Sequence, residues 1–366
     1  MFRPKIPLLL IVFSLFAISC DGLKMPKNIF DTSERAKYER RFSGSDILMT
    51  NWKNDFASAS TNKLKISDGF VMRVFTNDPN FSALGYSLDL KKGDQLVIKI
   101  SPATEQKIFL DIFEVKAGAE SSESEIFKNG KFSKMIENDG FYKIILQPEI
   151  NFTGNFDLKI FTQPSLSFPV AGKGNRDVQS FWGADRDGGD RSHEGLDIFA
   201  ARGTPVVAAA DGFILRTGDQ GLGGKQVWLR EGIAGNSLYY AHLDSVMTES
   251  GNRVKIGDTL GTVGNTGNAK GGATHLHFGI YSAGGAVDAY PFIRTRKVPS
   301  DLNFEITNFT KIKTGSNIRT GPALEKEIAF TVPTEITAKI LAGDGDWFHI
   351  KMSAGKEGFV NVGRLK

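Results

Sequence analysis

Cysteine occurs once in this 366-residue chain, at Cys20, so no disulfide can close within the chain and no cysteine-ligated zinc site can be built. Long apolar runs are nearly as scarce. The one from Ile6 to about Ile18 is short for a bilayer-spanning helix. Neither sign of charge is in large excess: the formal net charge is +4, about +2 once Arg3 and Lys5 are set aside, which excludes the basic footprint of a nucleic-acid binder. Histidine is sparse too, with five in the whole chain, yet two of them stand one residue apart in "ATHLHFGI" at residues 273–280. What is present suits folded, mainly β domains. Hydrophobic residues make up 40% of the chain, enough for real cores, and 28 phenylalanines against 7 tyrosines place most aromatic surface inside. The length calls for two or three domains.

The opening "MFRPKIPLLLIVFSLFAISC" has the basic start and short apolar run of an export signal. Ala17-Ile18-Ser19-Cys20 resembles a bacterial lipobox, which implies cleavage before Cys20 and a lipid on its sulfur. Ordinary signal cleavage after Ala-x-Ser is satisfied by the same residues. The expectation is an exported, cell-envelope protein, periplasmic and anchored to a membrane through the lipid on Cys20. Asp21 leaves inner or outer membrane open.

The chain then divides by texture. Residues 1–20 are the signal, and 21–62 a spacer with one short helix, on which Leu48, Trp52 and Phe56 share a face. Residues 63–162 alternate apolar and polar positions in "QLVIKIS", "KIFLDIFEV", "GFYKIILQ" and "GNFDLKIF", each bounded by turn residues, which predicts a β-sandwich. This stretch weakly resembles the accessory sandwich modules beside secreted bacterial peptidases; lacking histidine, it is expected to bind a partner or act as a spacer. "TQPSLSFPV" is a linker, kept extended by Pro164 and Pro169. Residues 168–298 form a second β domain of short strands and Gly-rich turns, an antiparallel sheet. Residues 303–366 resemble a bacterial SH3-like barrel through Asn317-Ile318-Arg319-Thr320-Gly321-Pro322, Trp347-Phe348 and Gly358-Phe359-Val360.

On a strand, residues i and i+2 share a face, so His275 and His277 can converge on one point while Leu276 and Phe278 enter the core. The pair gains partners in "RSHEGLDIFA", where His193 and Asp197 stand four apart. A fully extended strand would separate them by about 13 Å, so the chain must bend between them, and Gly195 is available. A helical H-E-x-x-H zinc motif is excluded, because position 197 is aspartate and the sequence after Gly195 is poor helix. His242 in "LYYAHLD" is the third element.

His193 to Asp197, then His242, then His275-x-His277, together with "FPVAGKG", "GTPVVAAADG", "YYAHLD", "VKIGDTLGTVGNTG" and "THLHFGI", resemble the LytM-type zinc metallopeptidases of peptidase family M23. The resemblance covers about a third of the chain. It implies Zn²⁺ held by His193, Asp197 and His277 with an open fourth position, and His242 and His275 as catalytic neighbours, one taking a proton from the attacking water and the other serving the oxyanion and leaving amine, with the division left open. It implies a zinc metalloendopeptidase acting on peptide bonds of bacterial peptidoglycan, with the accessory regions free to bind a protein partner. The alternative within the family is a non-catalytic scaffold that activates a cell-wall amidase. "NAKGGA" and "FWGADRDGGDRS" are expected to shape the cleft mouth.

Other signals carry less. "GTVGNTGNAKGG" lacks the ending of a phosphate loop and leads into a strand. "DRDGGDRS" has its glycine misplaced for a calcium loop. His349 in "DWFHIK" is expected to be structural or solvent-facing.

Overall fold

The computed structural model describes residues 33–76, 83–116, 119–127, 130–232, 235–304, 311–353 and 355–366. The export signal and Cys20 lie outside them. Among the described residues no helix is long and apolar enough to cross a membrane. The fold is mainly β, built as antiparallel ladders.

The first core lies between two sheets. A four-stranded sheet runs in the order Leu84–Leu90, Gly140–Pro148, Ile108–Lys116 and Ala119–Ile126. It faces strands Phe70–Val74, Phe156–Pro164 and Asp94–Ser101, and the period-2 apolar positions meet between them: Tyr86, Ile144, Leu146 and Leu110 against Met72, Leu158, Ile160, Leu96 and Ile98. The outer face of the four-stranded sheet is covered by the helix Asp46–Thr61, whose Ala59 and Phe56 pack with Ile145, Ala83 and Phe113. Contact is close enough that a Cβ on Gly85 would lie 2.0 Å from the Ala59 carbonyl oxygen. Of the helical face expected from the sequence, Trp52 is buried and donates its indole N–H to the Pro148 carbonyl at 2.9 Å.

The C-terminal strands continue this architecture. Ile328–Thr331, Asn317–Arg319, Glu357–Asn361, Trp347–Met352 and Ile336–Gly343 follow one another in an open path, and Ile336–Gly343 pairs with Phe70–Val74 through Arg73 with Gly343 and Val74 with Ala342. One ten-stranded sheet therefore joins residues from both ends of the chain. Leu341, Trp347 and Phe359 enter the first core, while Ile318, Phe348, Ile350 and Val360 make a core of their own. His349 is structural: it is fully buried, and its Nδ1 lies 3.0 Å from the Tyr86 hydroxyl of the sandwich.

Lys143 lies on the outer face of the four-stranded sheet, in Gly140–Pro148, buried, donating to the Asn62 carbonyl at 2.8 Å and to Asn62 Oδ1 at 2.6 Å. Burial pushes its ammonium down to about 8, against a smaller upward pull from Glu357. Because the folded-state value is below the unfolded one of about 10.4, the penalty is full below about pH 8 and fades as pH rises toward 10.4. The gap in unfolding free energy between wild type and Lys143→Met should move in favour of wild type by up to about 3 kcal/mol from pH 7 to pH 10.4. Urea titrations across that range would show it, and a gap that does not move would remove the buried charge from the account.

The middle of the chain forms a separate pair of sheets. The larger has the order Arg253–Val254, Gly212–Asp219, Lys225–Glu231, Ser237–Ala241, His275–Ser282, Leu196–Phe199 and Val178–Ser180, with Gly285–Val287 added beside His275–Ser282. The smaller holds Pro205–Val207, Thr259–Val263 and Leu243–Val246. Ile198, Leu229, Leu238, Tyr240, Leu276, Phe278 and Ile280 from the first pack with Val206, Leu243, Leu260 and Val263 from the second. Alternation then sends Asp197, Trp228, Tyr239, His275, His277 and Tyr281 to the other face, where they line one cleft. Arg296 ties this part to the sandwich, lying 3.1 Å from Asp68 Oδ2 and 3.1 Å from Asp94 Oδ1.

Candidate metal centre

Strand register builds the centre. In the ladder between Leu196–Phe199 and His275–Ser282, Asp197 pairs with His277 and Phe199 with His275, and on the other side Ala241 pairs with His277. Three neighbouring strands thus bring Asp197, His277 and the chain leading to His242 together, although up to 80 residues separate them in sequence. His193 arrives from the two-residue strand Arg191–Ser192, through a bend at His193–Gly195. Gly195 serves here by close approach: a Cβ would lie 2.6 Å from the Phe278 carbonyl oxygen and 2.8 Å from the His277 ring.

The five sequence-predicted residues converge. His193 Nε2 lies 3.0 Å from His277 Nδ1 and 3.1 Å from Asp197 Oδ1, and His277 Nδ1 lies 3.2 Å from the same oxygen. His275 Nε2 is 3.9 Å from Asp197 Oδ1. The His242 ring stands edge-on to His275 at 5.0 Å and to His277 at 5.9 Å between centroids. Among the described residues, His193, Asp197 and His277 form the one group of three or more potential ligands able to hold a metal ion.

Backbone carbonyls fix the rings. His193 Nδ1 is 2.9 Å from the Phe181 carbonyl, His242 Nδ1 2.9 Å from that of Thr266, and His275 Nδ1 2.9 Å from that of Ala273. An N–H at each Nδ1 donates to its carbonyl, so in the neutral ring it is Nε2 that keeps the lone pair. His242 reaches its place with φ at 61°, a left-handed conformation rare for a side chain of this size. It sits where the chain leaves Ser237–Ala241 for Leu243–Val246 in the other sheet, and that sharp turn swings the ring over the cleft.

Electrostatics match the geometry. Burial works against ionisation of Asp197, but its contacts with His193 and His277 outweigh burial and hold the carboxyl well below its usual range. Burial, reinforced by His275 and His277, lowers His242 to about 4, so its ring is neutral at pH 7. Burial lowers His277 as well, against the pull of Asp197. Two imidazoles and one carboxylate are a donor set suited to a divalent ion of zinc type. A tetrahedral ion bound at about 2.0–2.1 Å keeps its ligands about 3.3 Å apart, close to the separations here.

Sequence reasoning missed Arg186. It lies in the hairpin Asp185–Arg186 with Arg191–Ser192, and its Nη2 donates to Asp197 Oδ2 at 2.6 Å and to Ser180 Oγ at 2.7 Å. The guanidinium occupies one carboxylate oxygen and leaves Oδ1 to the histidines, fixing which oxygen is offered. Nothing in the spacing of "FWGADRDGGDRS" distinguishes Arg186 from Arg191; only the hairpin does.

The sequence pattern of Peptidase family M23 matches residues 191–289. The L-Ala--D-Glu endopeptidase of Bacillus subtilis (strain 168) is 34% identical over 140 residues, covering 35% of this chain and 43% of that protein. The glycyl-glycine endopeptidase ALE-1 of Staphylococcus capitis is 32% identical over 155 residues, 41% of each chain. This chain spans less than half the length of either protein. Among solved structures, the catalytic domain of the antimicrobial peptidase lysostaphin from Staphylococcus simulans shares 32% identity over 32% of this chain and 92% of that domain, with a TM-score of 0.29.

Proposed function

Since residues 191–289 are a peptidase family M23 domain, we propose that this chain is a zinc metalloendopeptidase that hydrolyses peptide bonds of bacterial peptidoglycan. The observation that carries the proposal is the triangle of His193 Nε2, Asp197 Oδ1 and His277 Nδ1, with separations of 3.0–3.2 Å. These residues would hold Zn²⁺. When bound, zinc supplies a Lewis acid that makes hydroxide available near neutral pH. His242 and His275 present Nε2 lone pairs beside the triangle, held there by the Thr266 and Ala273 carbonyls. One ring accepts the proton of the attacking water at Nε2; the other, once it carries a proton at Nε2, donates it to the developing oxyanion and serves the leaving amine. Arg186 fixes the Asp197 carboxylate throughout.

The substrate class is carried over from relatives named as an L-Ala--D-Glu endopeptidase, a glycyl-glycine endopeptidase and a peptidoglycan DD-endopeptidase. On this reading the protein works outside the cytoplasm, tethered through a lipid on Cys20, with the sandwich and the SH3-like C-terminal region holding the peptidase domain against the wall or a protein partner. Digestion of purified peptidoglycan with and without a zinc chelator, followed by separation of muropeptides, tests the proposal. Chelator-sensitive loss of intact stems or cross-links is the expected result and identifies the bond. Absence of cleavage by zinc-loaded protein would shift the reading to the non-catalytic amidase-activating scaffold.

Gly195→Ala provides a local check. The added methyl must displace Phe278 or the His277 ring, at an overpacking cost of about 1–3 kcal/mol. Zinc affinity should fall by about tenfold or more while the β circular-dichroism signal persists. Wild-type affinity in this variant would mean that Gly195 does not set the His277 position.

A further inference from the structure

The cleft face of the large sheet carries a cross-strand row that the metal centre leaves unused. Register sets Gly279 beside Tyr239, Tyr239 beside Trp228, and Trp228 beside Arg216. The Trp228 and Tyr239 rings lie 4.4 Å apart at 31°, Tyr281 meets Trp228 at 5.1 Å, and Tyr239 meets His277 edge-on at 5.8 Å. An unbroken aromatic floor therefore runs from His277 to Trp228. Beside Tyr239 the floor is closed off at Gly279, where a Cβ would lie 3.1 Å from the Glu194 carbonyl oxygen and 3.2 Å from the Tyr281 ring, so the face left for a peptide backbone is that of Tyr239 and Trp228.

Arg216 stands at the far end, its guanidinium carbon 4.8 Å from the Trp228 ring centroid. It lines the cleft, it is exposed, and among the described residues it has neither an ion pair nor a hydrogen bond. Arg186, in the same cleft, is committed to Asp197. A guanidinium stacked on an indole keeps its N–H donors around its rim, in the fork geometry that matches a carboxylate, and stacking preorganises it for that contact. Three strand spacings of about 4.8 Å separate Arg216 from the strand of His277, roughly 14 Å, or about four residues of extended peptide.

We propose that Arg216 is a specificity-determining residue that binds a free carboxylate on the substrate peptide, about four residues from the bond cut, while the intervening backbone lies on the Trp228–Tyr239 floor. This rests on the peptidase reading of the same cleft. The contact acts on binding, so its loss raises KM and leaves kcat nearly unchanged on substrate that reaches the centre.

The test uses the full chain and a peptidoglycan stem tetrapeptide in two forms, with its carboxylates free and with them all carboxamidated. Calorimetry on wild type should give about fivefold to tenfold tighter binding of the free acid, and Arg216→Gln should bring the two forms within about twofold, with Arg216→Lys between. Equal affinity of wild type for both forms would overturn the proposal, as would a preference that survives Arg216→Gln, or no binding of either form at millimolar concentration. Failure of the peptidase reading looks different: the chain would discriminate acid from amide and yet cleave no peptide bond in peptidoglycan.

Discussion

Asp197→Ala and His277→Ala are expected to lose zinc and activity together, whereas His242→Ala should keep its zinc and lose about 10²–10⁴-fold in kcat. The division follows from where the lone pairs point. Asp197 Oδ1 and His277 Nδ1 lie 3.2 Å apart and both lie within 3.1 Å of His193 Nε2, so removing either leaves two donors where a catalytic zinc site needs three. Asp197→Ala also strips Arg186 of its acceptor and leaves a guanidinium facing the donors, which adds repulsion toward a cation. His242 lies to one side, its ring 5.9 Å from that of His277, with Nδ1 occupied by the Thr266 carbonyl. Alanine there removes the His242 Nε2, whichever of the two catalytic roles it serves, and leaves the triangle intact. Metal content by elemental analysis, paired with turnover on purified peptidoglycan, reads both halves. Equal zinc loss in all three variants would make the ligand assignment wrong.

Arg35→Ala is expected to destabilise the protein by about 3–5 kcal/mol. Arg35 sits in the helix Glu34–Arg41, 8% exposed, and its Nη2 and Nε donate to Asp111 Oδ2 of the sandwich at 2.5 and 3.1 Å. Nη1 donates to Gln147 Oε1. The guanidinium also lies over the Phe56 and Trp52 rings, at 4.1 and 4.6 Å from their centroids. Asp111 is 3% exposed, so truncating Arg35 leaves a buried carboxylate with its main counter-charge gone, and that orphan sets the size of the loss. Arg35→Ala/Asp111→Ala should therefore recover a large part of it, because the double variant buries no unpaired charge. Urea denaturation of the single and double variants gives the comparison. A loss under about 0.5 kcal/mol for Arg35→Ala would show that the helix detaches and lets water reach Asp111 at little cost.

The convergence of the candidate ligands was legible in the sequence because strand alternation is a short-range rule. His275 and His277 must share a face once their segment is a strand, and Leu276 and Phe278 must then enter the core, as they do. The apolar alternation of "QLVIKIS" and "GFYKIILQ" likewise marked Asp94–Ser101 and Gly140–Pro148. Strands without that signature were missed: Ala119–Ile126 reads AESSESEI, apolar only at its two ends. The need for a bend at Gly195 was foreseen, but its physical reason was different, since the close approach of the His277 ring and the Phe278 carbonyl excludes a side chain there.

What the sequence determined by itself is the chemistry on offer: two imidazoles on one strand face, a histidine and an aspartate four apart, one more histidine, no disulfide, and cores that only sheets could form. The tertiary structure decided which of these groups meet and how each is held. Arg186 on Asp197, the carbonyls behind the His193 and His242 imidazoles, the left-handed turn at His242, the Arg35–Asp111 pair and the pairing of Phe70–Val74 with Ile336–Gly343 all join positions 11 or more residues apart along the chain or depend on one backbone angle. Periodicity reports which face a side chain takes; it carries no information about which strand becomes the neighbour, because ladder pairing is selected by the closure of whole sheets around a core.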